Sequence, residues 1–297
     1  MLRRRIFVMG RFKALTFASV LALGAGQAAQ AADLLPPPPP LEAPPLRGAV
    51  EDSGFYLRVD AGLANTNASG LRSTFGDGST TASLGATTGP VSLGDPTILG
   101  LGAGYQFNNW FRADVTGEYR NAANYHSSMK YQSVYTASCL PGSGLYCTDE
   151  YTGVAKAGLF LANGYLDMGS WFGFTPYVGG GVGLTVYQTS GVRDQSIYPL
   201  DGSVGFAPNY TGTNFAWALM AGVGYHITAN LMLDVGYRYV NMGAFKTGAI
   251  ACNNQLNGSC HWEVQHFDVA SNDVRIGLRW MDAPAAYDPG LPVRAKY

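Results

Sequence analysis

The sequence lacks any apolar run long enough to cross a bilayer as a helix, which takes about 20 residues. The run Ala14 to Ala25 is too short, and it is preceded by five basic residues and followed by the small residues of Ala29-Gln30-Ala31. This is the pattern of a secretory signal with a cleavage site. The sequence therefore predicts a cleaved signal peptide over residues 1–31, and a membrane location would have to come from strands.

Positive charge is scarce once the signal is removed. The whole chain holds 19 Lys and Arg against 20 Asp and Glu, and residues 1–31 contain five of the basic residues and no acidic one. The mature chain therefore carries a net charge near −6. A chain with this balance is a poor binder of polyanions, and we expect no nucleic-acid partner.

Cysteine is limited to four residues, Cys139, Cys147, Cys252 and Cys260, which form two pairs with eight-residue spacing. Because exported chains meet oxidants, this spacing predicts two local disulfides, each stabilising by about 2.5 kcal/mol on the chain-entropy model. The alternative is a four-cysteine zinc site. That site is disfavoured because the C-x-x-C spacing typical of such sites is absent.

What the chain does contain is two-residue alternation of apolar and polar residues, the period of a β-strand. It recurs in eight stretches joined by connections that are alternately long and short. The stretches are Phe55–Leu63, Thr97–Phe107, Phe111–Arg120, Gly153–Leu166, Thr175–Tyr187, Phe215–Ile227, Leu231–Tyr239 and Asp273–Trp280. The prediction is an all-β fold, an eight-stranded antiparallel up-and-down transmembrane β-barrel over residues 54–280.

Alternation alone does not distinguish a membrane barrel from a soluble sandwich. Four further features favour the barrel: the strand lengths suit the roughly 9–11 residues of a membrane-spanning strand, aromatic residues gather near strand ends, the polar face carries charges of both signs, and long and short connections alternate strictly. The long connections are predicted over Asn65–Pro96, Asn121–Thr152, Gln188–Thr213 and Asn241–Ala270, all facing the exterior.

An eight-stranded ring has an interior just wide enough to be filled by side chains. The polar faces place twelve charges there, which we expect to form ion pairs because an unpaired buried charge is costly. They are Arg58, Asp60, Arg112, Asp114, Glu118, Arg120, Lys156, Asp234, Arg238, Asp273, Arg275 and Arg279. A selective conduit is the alternative function of this interior.

Two tails flank the predicted barrel on its periplasmic side. Residues 32–53 contain Pro36–Pro40 and Pro44-Pro45, which favour an extended polyproline II spacer or, alternatively, a disordered linker. Residues 281–297 form the second tail, which ends in the basic residues Arg294 and Lys296.

Several segments resemble the alphaproteobacterial outer-membrane β-barrel proteins, a group of OmpA-type eight-stranded surface proteins that includes porin-family members. They are Ala32-Asp33 ahead of the proline tract, Thr175–Gly183, Gly236–Tyr239 and Asp273–Trp280. The resemblance covers the whole mature barrel. It implies outer-membrane lipid, lipopolysaccharide and the barrel-insertion machinery as partners.

The resemblance has two consequences for particular residues. The last strand is similar to the assembly signal that the insertion machinery reads, through Val274, Ile276, Leu278 and Trp280, although the chain continues 17 residues beyond that tryptophan. Some members carry an Ala-Asp amino terminus that is amide-linked to peptidoglycan. By resemblance, Ala32 and Asp33 would form such an attachment, and a plain unlinked tail is the alternative.

The sequence offers little for catalysis or cofactors. Enzymes on small outer-membrane barrels need a Ser or His arrangement at the lipid-facing rim. Of the four histidines only His226 falls in a predicted strand, pointing inward near the periplasmic end, while His261, Glu263 and His266 are more consistent with a solvated loop cluster than with a metal site. We expect no cofactor, no metal and no enzymatic activity. The predicted function is a structural surface protein that supports the envelope, with a porin-like channel or a loop-mediated adhesin as alternatives.

Overall fold

The computed structural model describes residues 53–81, 85–132, 139–198, 204–252 and 262–282. Among these residues the repetitive structure is β, and no helix in them is long and apolar enough to span a membrane. Eight long strands form the scaffold: β1 (Gly54–Phe75), β2 (Thr97–Gln106), β3 (Phe111–Tyr131), β4 (Cys147–Asp167), β5 (Phe174–Tyr198), β6 (Tyr210–His226), β7 (Leu231–Lys246) and β8 (Glu263–Met281). Four short strands lie in the connections, at Thr87–Thr88, Ser92–Leu93, Val204–Phe206 and Ala251–Cys252.

The long strands close into a ring. Each pairs antiparallel with the strand before it and the strand after it in the chain, and β1 pairs with β8 from Tyr56↔Met281 to Phe75↔Glu263. Where all eight strands pair, closure leaves no open edge, so the backbone donors and acceptors there are satisfied without water. The predicted all-β antiparallel barrel is confirmed, and the ring contains eight long strands.

Alternation along each strand sorts side chains between the two faces of the wall. In β1, Phe55, Leu57 and Val59 are 57–73% exposed on the outside, whereas Arg58 and Asp60 are buried inside. The same outward exposure recurs around the ring and defines an apolar belt. Its large members are Phe55, Leu57, Val59, Leu63, Leu99, Leu101, Val115, Tyr119, Phe160, Val182, Leu184, Phe215, Leu219, Val235, Tyr237, Val274, Ile276 and Leu278.

The strands continue well beyond the apolar belt, which corrects the predicted loops. β3 runs on from Tyr119 to Tyr131, about 40 Å along the strand, and stays paired with β4 down to Cys147. The outward residues of this part, such as Asn121 and Lys130, are polar and exposed. We call the strand residues above the belt, on the side away from the short turns, the outer extension: residues 65–75, 121–131, 147–156, 188–198, 241–246 and 263–271.

The turn between β4 and β5 contains a strained residue. Trp171 and Phe174 exchange two backbone hydrogen bonds of 2.9 Å across the turn, so its tip is Phe172-Gly173. Both tip residues have positive φ, 52° and 85°, as a type I′ turn requires. A phenylalanine in this region costs roughly 1–2 kcal/mol, whereas asparagine is favoured there.

We therefore expect Phe172→Asn to raise the free energy of unfolding in detergent micelles by about 1 kcal/mol. The matched variant Phe172→Ala removes the ring, which is 99% exposed, but keeps a side chain that disfavours positive φ. Urea titration of both variants separates the effects. A gain for alanine equal to that for asparagine would contradict the assignment of strain to the backbone.

Candidate functional site: the charge network in the lumen

Charged side chains fill the barrel interior at the level of the apolar belt. Of the twelve predicted inner charges, all except Lys156 are at most 8% exposed, and the structure adds one acidic residue, Asp167, to them. The interior set thus holds six arginines and six carboxylates, which makes it neutral overall. It consists of Arg58, Arg112, Arg120, Arg238, Arg275, Arg279, Asp60, Asp114, Glu118, Asp167, Asp234 and Asp273; we call it the lumen network.

Lys156 corrects the sequence prediction for the fourth strand. It is exposed on the outside of β4, whereas Ala155, Ala157, Leu159 and Leu161, expected to face outward, are buried in the lumen. Both faces of this stretch are apolar, so alternation could not fix its orientation. The inward series Asn163, Tyr165 and Asp167 at the end of β4 is the signal that could have done so.

The centre of the network is a group of two arginines and two carboxylates from β3, β7 and β8. Arg238 Nη2 lies 2.6 Å from Glu118 Oε1 and 2.7 Å from Asp273 Oδ2. Arg120 Nη2 contacts the same two carboxylates at 3.0 and 2.5 Å. The Ser271 hydroxyl donates a further hydrogen bond to Asp273 Oδ1. Each carboxylate is therefore shared between two guanidinium groups. These ion pairs connect β3 with β7 and β8, which are not its neighbours in the ring.

A second group forms around Arg58 on β1. Its guanidinium pairs with Asp60 at 2.7 Å and with Asp114 at 3.0 Å. The Asp114 carboxylate also accepts hydrogen bonds from the Tyr56 hydroxyl at 3.0 Å and from the Asn163 amide at 2.7 Å. These polar partners offset the cost of removing the charges from water.

Glycine on β2 provides the space for this group. A Cβ built on Gly104 would lie 2.5 Å from Tyr56 Cζ and 2.6 Å from Asp114 Cβ. A larger residue at this position would therefore displace the side chains that cross the lumen. The glycines of β2 thus have a packing role in the lumen, because they leave room for the long side chains of β1 and β3.

Nearer the end of the barrel that carries the short turns, arginines pair with acids and lie against aromatic rings. Arg112 Nε is 3.1 Å from Asp167 Oδ1, and its guanidinium carbon lies 4.1 Å from the ring centroid of Tyr165 and 4.7 Å from that of Tyr177. Arg279 Nε lies 3.3 Å from Asp234. The contact of the Arg112 guanidinium group with the two tyrosine rings holds this flat group in place and adds a cation–π attraction to its ion pair with Asp167.

The side chains of the lumen network are packed closely, since each of its residues is at most 8% exposed. A void of about 10 Å³ lies among Arg58, Asp60, Tyr165 and Arg238, roughly the space needed by one water molecule. The lumen at belt level is thus a packed interior rather than an open pore.

Above the network a second core lies at the base of the outer extension and within it, and this one is largely apolar. Tyr187 stacks on Phe245 with ring centroids 4.0 Å apart, and Tyr125 stacks on Phe267 at 4.7 Å. Two acids, Asp149 and Glu263, are buried here. Glu263 accepts hydrogen bonds from the Ser73 hydroxyl at 2.5 Å and the Tyr151 hydroxyl at 2.9 Å. Burial raises the pKa of the Glu263 carboxyl above its ordinary value, and the nearby Asp149 acts in the same direction.

The raised pKa of Glu263 makes the outer extension more stable in mild acid. Because the folded protein holds this proton more tightly than the unfolded chain, stability falls as pH rises from the ordinary pKa of about 4.3 through the higher folded value. We expect Glu263→Gln to stabilise the protein near pH 7 and to flatten the fall of stability with rising pH above the ordinary pKa of about 4.3. Urea titration of both forms at several pH values measures this. An unchanged pH profile would contradict the role of Glu263.

The remaining predicted site residues fall in different places. Cys139 and Cys147 form a disulfide, with Cα atoms 5.5 Å apart. The side chain of Cys252 and the whole of Cys260 lie outside the described residues, so the second disulfide stays a prediction. Ala32 and Asp33 also lie outside the described residues. The four residues of the predicted assembly signal, Val274, Ile276, Leu278 and Trp280, are 47–62% exposed on the outer face of β8.

Three histidines lie in positions that differ from those predicted from the sequence. His226 is exposed at the end of β6 rather than directed inward, and both His126 and His266 lie in strands of the outer extension. Glu263 points into the barrel and His266 points away from it, so these two predicted loop neighbours lie on opposite faces of β8. Within the described ranges, no group of three or more His, Cys, Asp or Glu residues is placed to hold a metal ion.

A closed antiparallel barrel with an apolar outer belt and an ion-paired interior defines a transmembrane β-barrel with a filled lumen. The family described as "Outer membrane protein beta-barrel domain" matches residues 17–259. The chain belongs to this family, and its location is the bacterial outer membrane.

Three relatives show the range of proteins that the chain is similar to. An uncharacterized protein of Brucella abortus (strain 2308) is 30% identical over 222 residues, covering 72% of this chain and 76% of the relative. Outer membrane protein PagN of Salmonella typhimurium is 26% identical over 232 residues, covering 76% and 89%. A putative adhesin of Rickettsia prowazekii is 26% identical over 230 residues, covering 77% and 88%.

Proposed function

We propose that this protein is a non-enzymatic structural surface protein that supports the integrity of the outer membrane. The observation that carries the proposal is the lumen network, in which six arginines and six carboxylates close the barrel at belt level. A transport role would call for an open, hydrated path. The proposed partners on the outer face are membrane lipid and lipopolysaccharide, and the proposed assembly partner is the barrel-insertion machinery, reading Val274, Ile276, Leu278 and Trp280.

Conductance in planar bilayers tests the closed lumen. We expect the purified, refolded protein to give no steady single-channel current in about 1 M salt. At this ionic strength the Debye length is about 3 Å, so charge repulsion alone would not keep ions out of an open lumen. Deletion of the gene should increase sensitivity to detergent and release of outer-membrane vesicles. Reproducible ion-selective steps from the intact chain would instead support the porin-like channel.

We further propose that the mature amino terminus, Ala32-Asp33, is amide-linked to peptidoglycan, with residues 34–53 as the spacer. The proposal is supported by the resemblance of this end to linked family members and by the reach of its proline tract, about 3.1 Å per residue in polyproline II. Muramidase digestion of purified sacculi followed by mass spectrometry should yield peptides that begin at Ala32 and carry a muropeptide. Recovery of unmodified Ala32 peptides alone would overturn the linkage.

Attachment to another cell is the second candidate function, and the outer extension favours it. The strands hold residues such as Lys130 and Arg193 well above the apolar belt, on a paired scaffold that presents the connections at a distance from the membrane. The similarity to a putative adhesin is consistent with this role. Cell-binding assays with the region 133–146 shortened to a tight turn, in a barrel that still folds, should show reduced attachment if these connections bind. Unchanged attachment would contradict the proposed binding by these connections, and the structural role would be the one remaining candidate function.

A further inference from the structure

A recess of about 680 Å³ opens in the wall of the outer extension, beside the last part of β1. Its volume falls within the range of about 300–1,000 Å³ of small-molecule sites. The lining contains two basic side chains, Arg72 and His266, and the apolar residues Leu71 and Ala86. The other lining residues are hydroxyl-bearing: Ser73, Thr74, Thr80, Thr81 and Thr88.

The recess exists because β2 is too short to fill the wall. β1 and β3 both continue into the outer extension, but β2 begins only at Thr97. Thr80 and Thr81 fold back onto β1, where Thr81 N donates a 3.1 Å hydrogen bond to Ser73 O. Thr87–Thr88 pairs instead with β3. The segment between β1 and β2 therefore pairs first with β1 and then with β3, and this leaves a space beside β1.

Positive charge is concentrated at one side of this space. His266 is the cross-strand partner of both Arg72 on β1 and Lys246 on β7, so three basic side chains stand in a row on the outer face. Burial, Arg72 and Lys246 together lower the pKa of His266. Among the residues that the structure describes, one acid faces the row: Asp268 Oδ2 lies 3.5 Å from Arg72 Nη1, in a pair whose side chains are both 52% exposed. The local charge is positive even with this acid counted.

The hydroxyl groups provide the complementary polar contacts. The Thr81 hydroxyl is held in place by a 2.7 Å hydrogen bond from Ser73 N, and Thr74 Oγ1 lies 3.4 Å from His266 Nε2. Hydroxyls both donate and accept, as do the hydroxyls of a sugar, and a guanidinium group binds a carboxylate through parallel hydrogen bonds. A site with both features suits a ligand that carries one acidic group and several hydroxyls.

We propose that this recess binds a carboxylated sugar residue, with its carboxylate at Arg72 and its hydroxyls at the threonines. The same chemistry occurs in the inner core of the bacterium's own lipopolysaccharide and in the acidic glycans of other cells. This inference goes beyond the structural role proposed above and does not depend on a closed lumen.

Titration calorimetry on the full-length protein in detergent micelles tests the proposal. The probes are 3-deoxy-octulosonic acid for the lipopolysaccharide source, N-acetylneuraminic acid for the external source, and methyl glucoside and acetate as controls. We expect at least one acidic sugar to bind at least tenfold more tightly than either control. The sugar with the higher affinity identifies the source, and either outcome supports the site.

Substitutions then assign binding to the recess. Arg72→Gln should weaken binding of the acidic sugar at least tenfold, whereas Asp268→Asn, which removes the one facing acid, should strengthen it two- to threefold. The matched control is Arg193→Gln, an exposed arginine of the outer extension on β5. It should change affinity by less than twofold. Equal loss in the Arg72 and Arg193 variants, or binding of methyl glucoside or acetate as tight as that of both acidic sugars, would overturn the proposal.

A second readout does not require a substitution. A carboxylate bound beside Arg72 would favour the charged imidazolium of His266, so its pKa should rise when the acidic sugar is added. Proton NMR of the His266 ring over pH 5–8 measures this shift. An unchanged His266 titration at saturating sugar would also overturn the proposal.

Discussion

Replacing Asp273 with asparagine should lower the free energy of unfolding by about 3–5 kcal/mol, the usual cost of breaking a buried ion pair. The carboxylate is fully buried and shared by Arg120 and Arg238, and the asparagine has the same shape but no charge. The two guanidinium groups would then have Glu118 as their common acid, with one positive charge uncompensated. Urea titration in lipid vesicles, monitored by tryptophan fluorescence, measures the loss.

The same chain provides a matched control for this prediction. Asp268, on the same strand, pairs with Arg72 at 3.5 Å in an exposed position. Because water screens such pairs, Asp268→Asn should cost at most about 1 kcal/mol. Equal effects at the two positions would contradict the claim that the lumen network is a buried, closely coupled structure.

A charge placed on the apolar belt should produce the second large effect. Ile276 is 53% exposed at the middle of the outward apolar run of β8. If that exposure is to lipid, Ile276→Arg should destabilise the folded protein by about 2–4 kcal/mol in vesicles. In a water-facing wall the same substitution would be nearly neutral.

The control for Ile276 is an outward position above the belt. Asn67 of β1 is exposed in the outer extension, so Asn67→Arg should change the free energy of unfolding by less than about 0.5 kcal/mol. Both variants can be measured by urea titration in the same vesicles. Similar values for the two would place the belt in water and contradict a transmembrane barrel.

The first strand shows what one sequence is enough to predict. In β1, apolar residues alternate with Arg58 and Asp60, and a charge opposite an apolar face can only point into the lumen of a membrane barrel. The structure places these side chains inside, paired at 2.7 Å. The inward position of most of the charged residues follows from the same pattern, because charge and apolar character rarely share a face.

The fourth strand shows where this reasoning fails. The lumen beside β4 is filled by Leu159 and Leu161, because the interior of a narrow barrel needs bulk as well as charge. Apolar residues therefore occupy both faces. The alternation then does not indicate which face of the strand points into the lumen, and the inward orientation predicted for Lys156 is wrong.

The ends of the strands and the pairing of charges in the lumen could not be predicted from the sequence either. The alternation of apolar residues stops at the edge of the belt, but backbone pairing does not, so β3 continues to Tyr131 with polar side chains on its outer face. The pairing of Arg120 with Asp273 joins residues 153 positions apart. It depends on the register and tilt of the whole ring, which no local pattern encodes.

Heat-modifiable mobility of the membrane fraction is the most direct test of the central claim, that apolar residues face lipid around an ion-paired interior. Unboiled samples in mild detergent should migrate differently from boiled ones, and the protein should be extracted only with detergent. Recovery of the mature chain from the periplasm as a water-soluble species, with one mobility before and after boiling, would contradict the account.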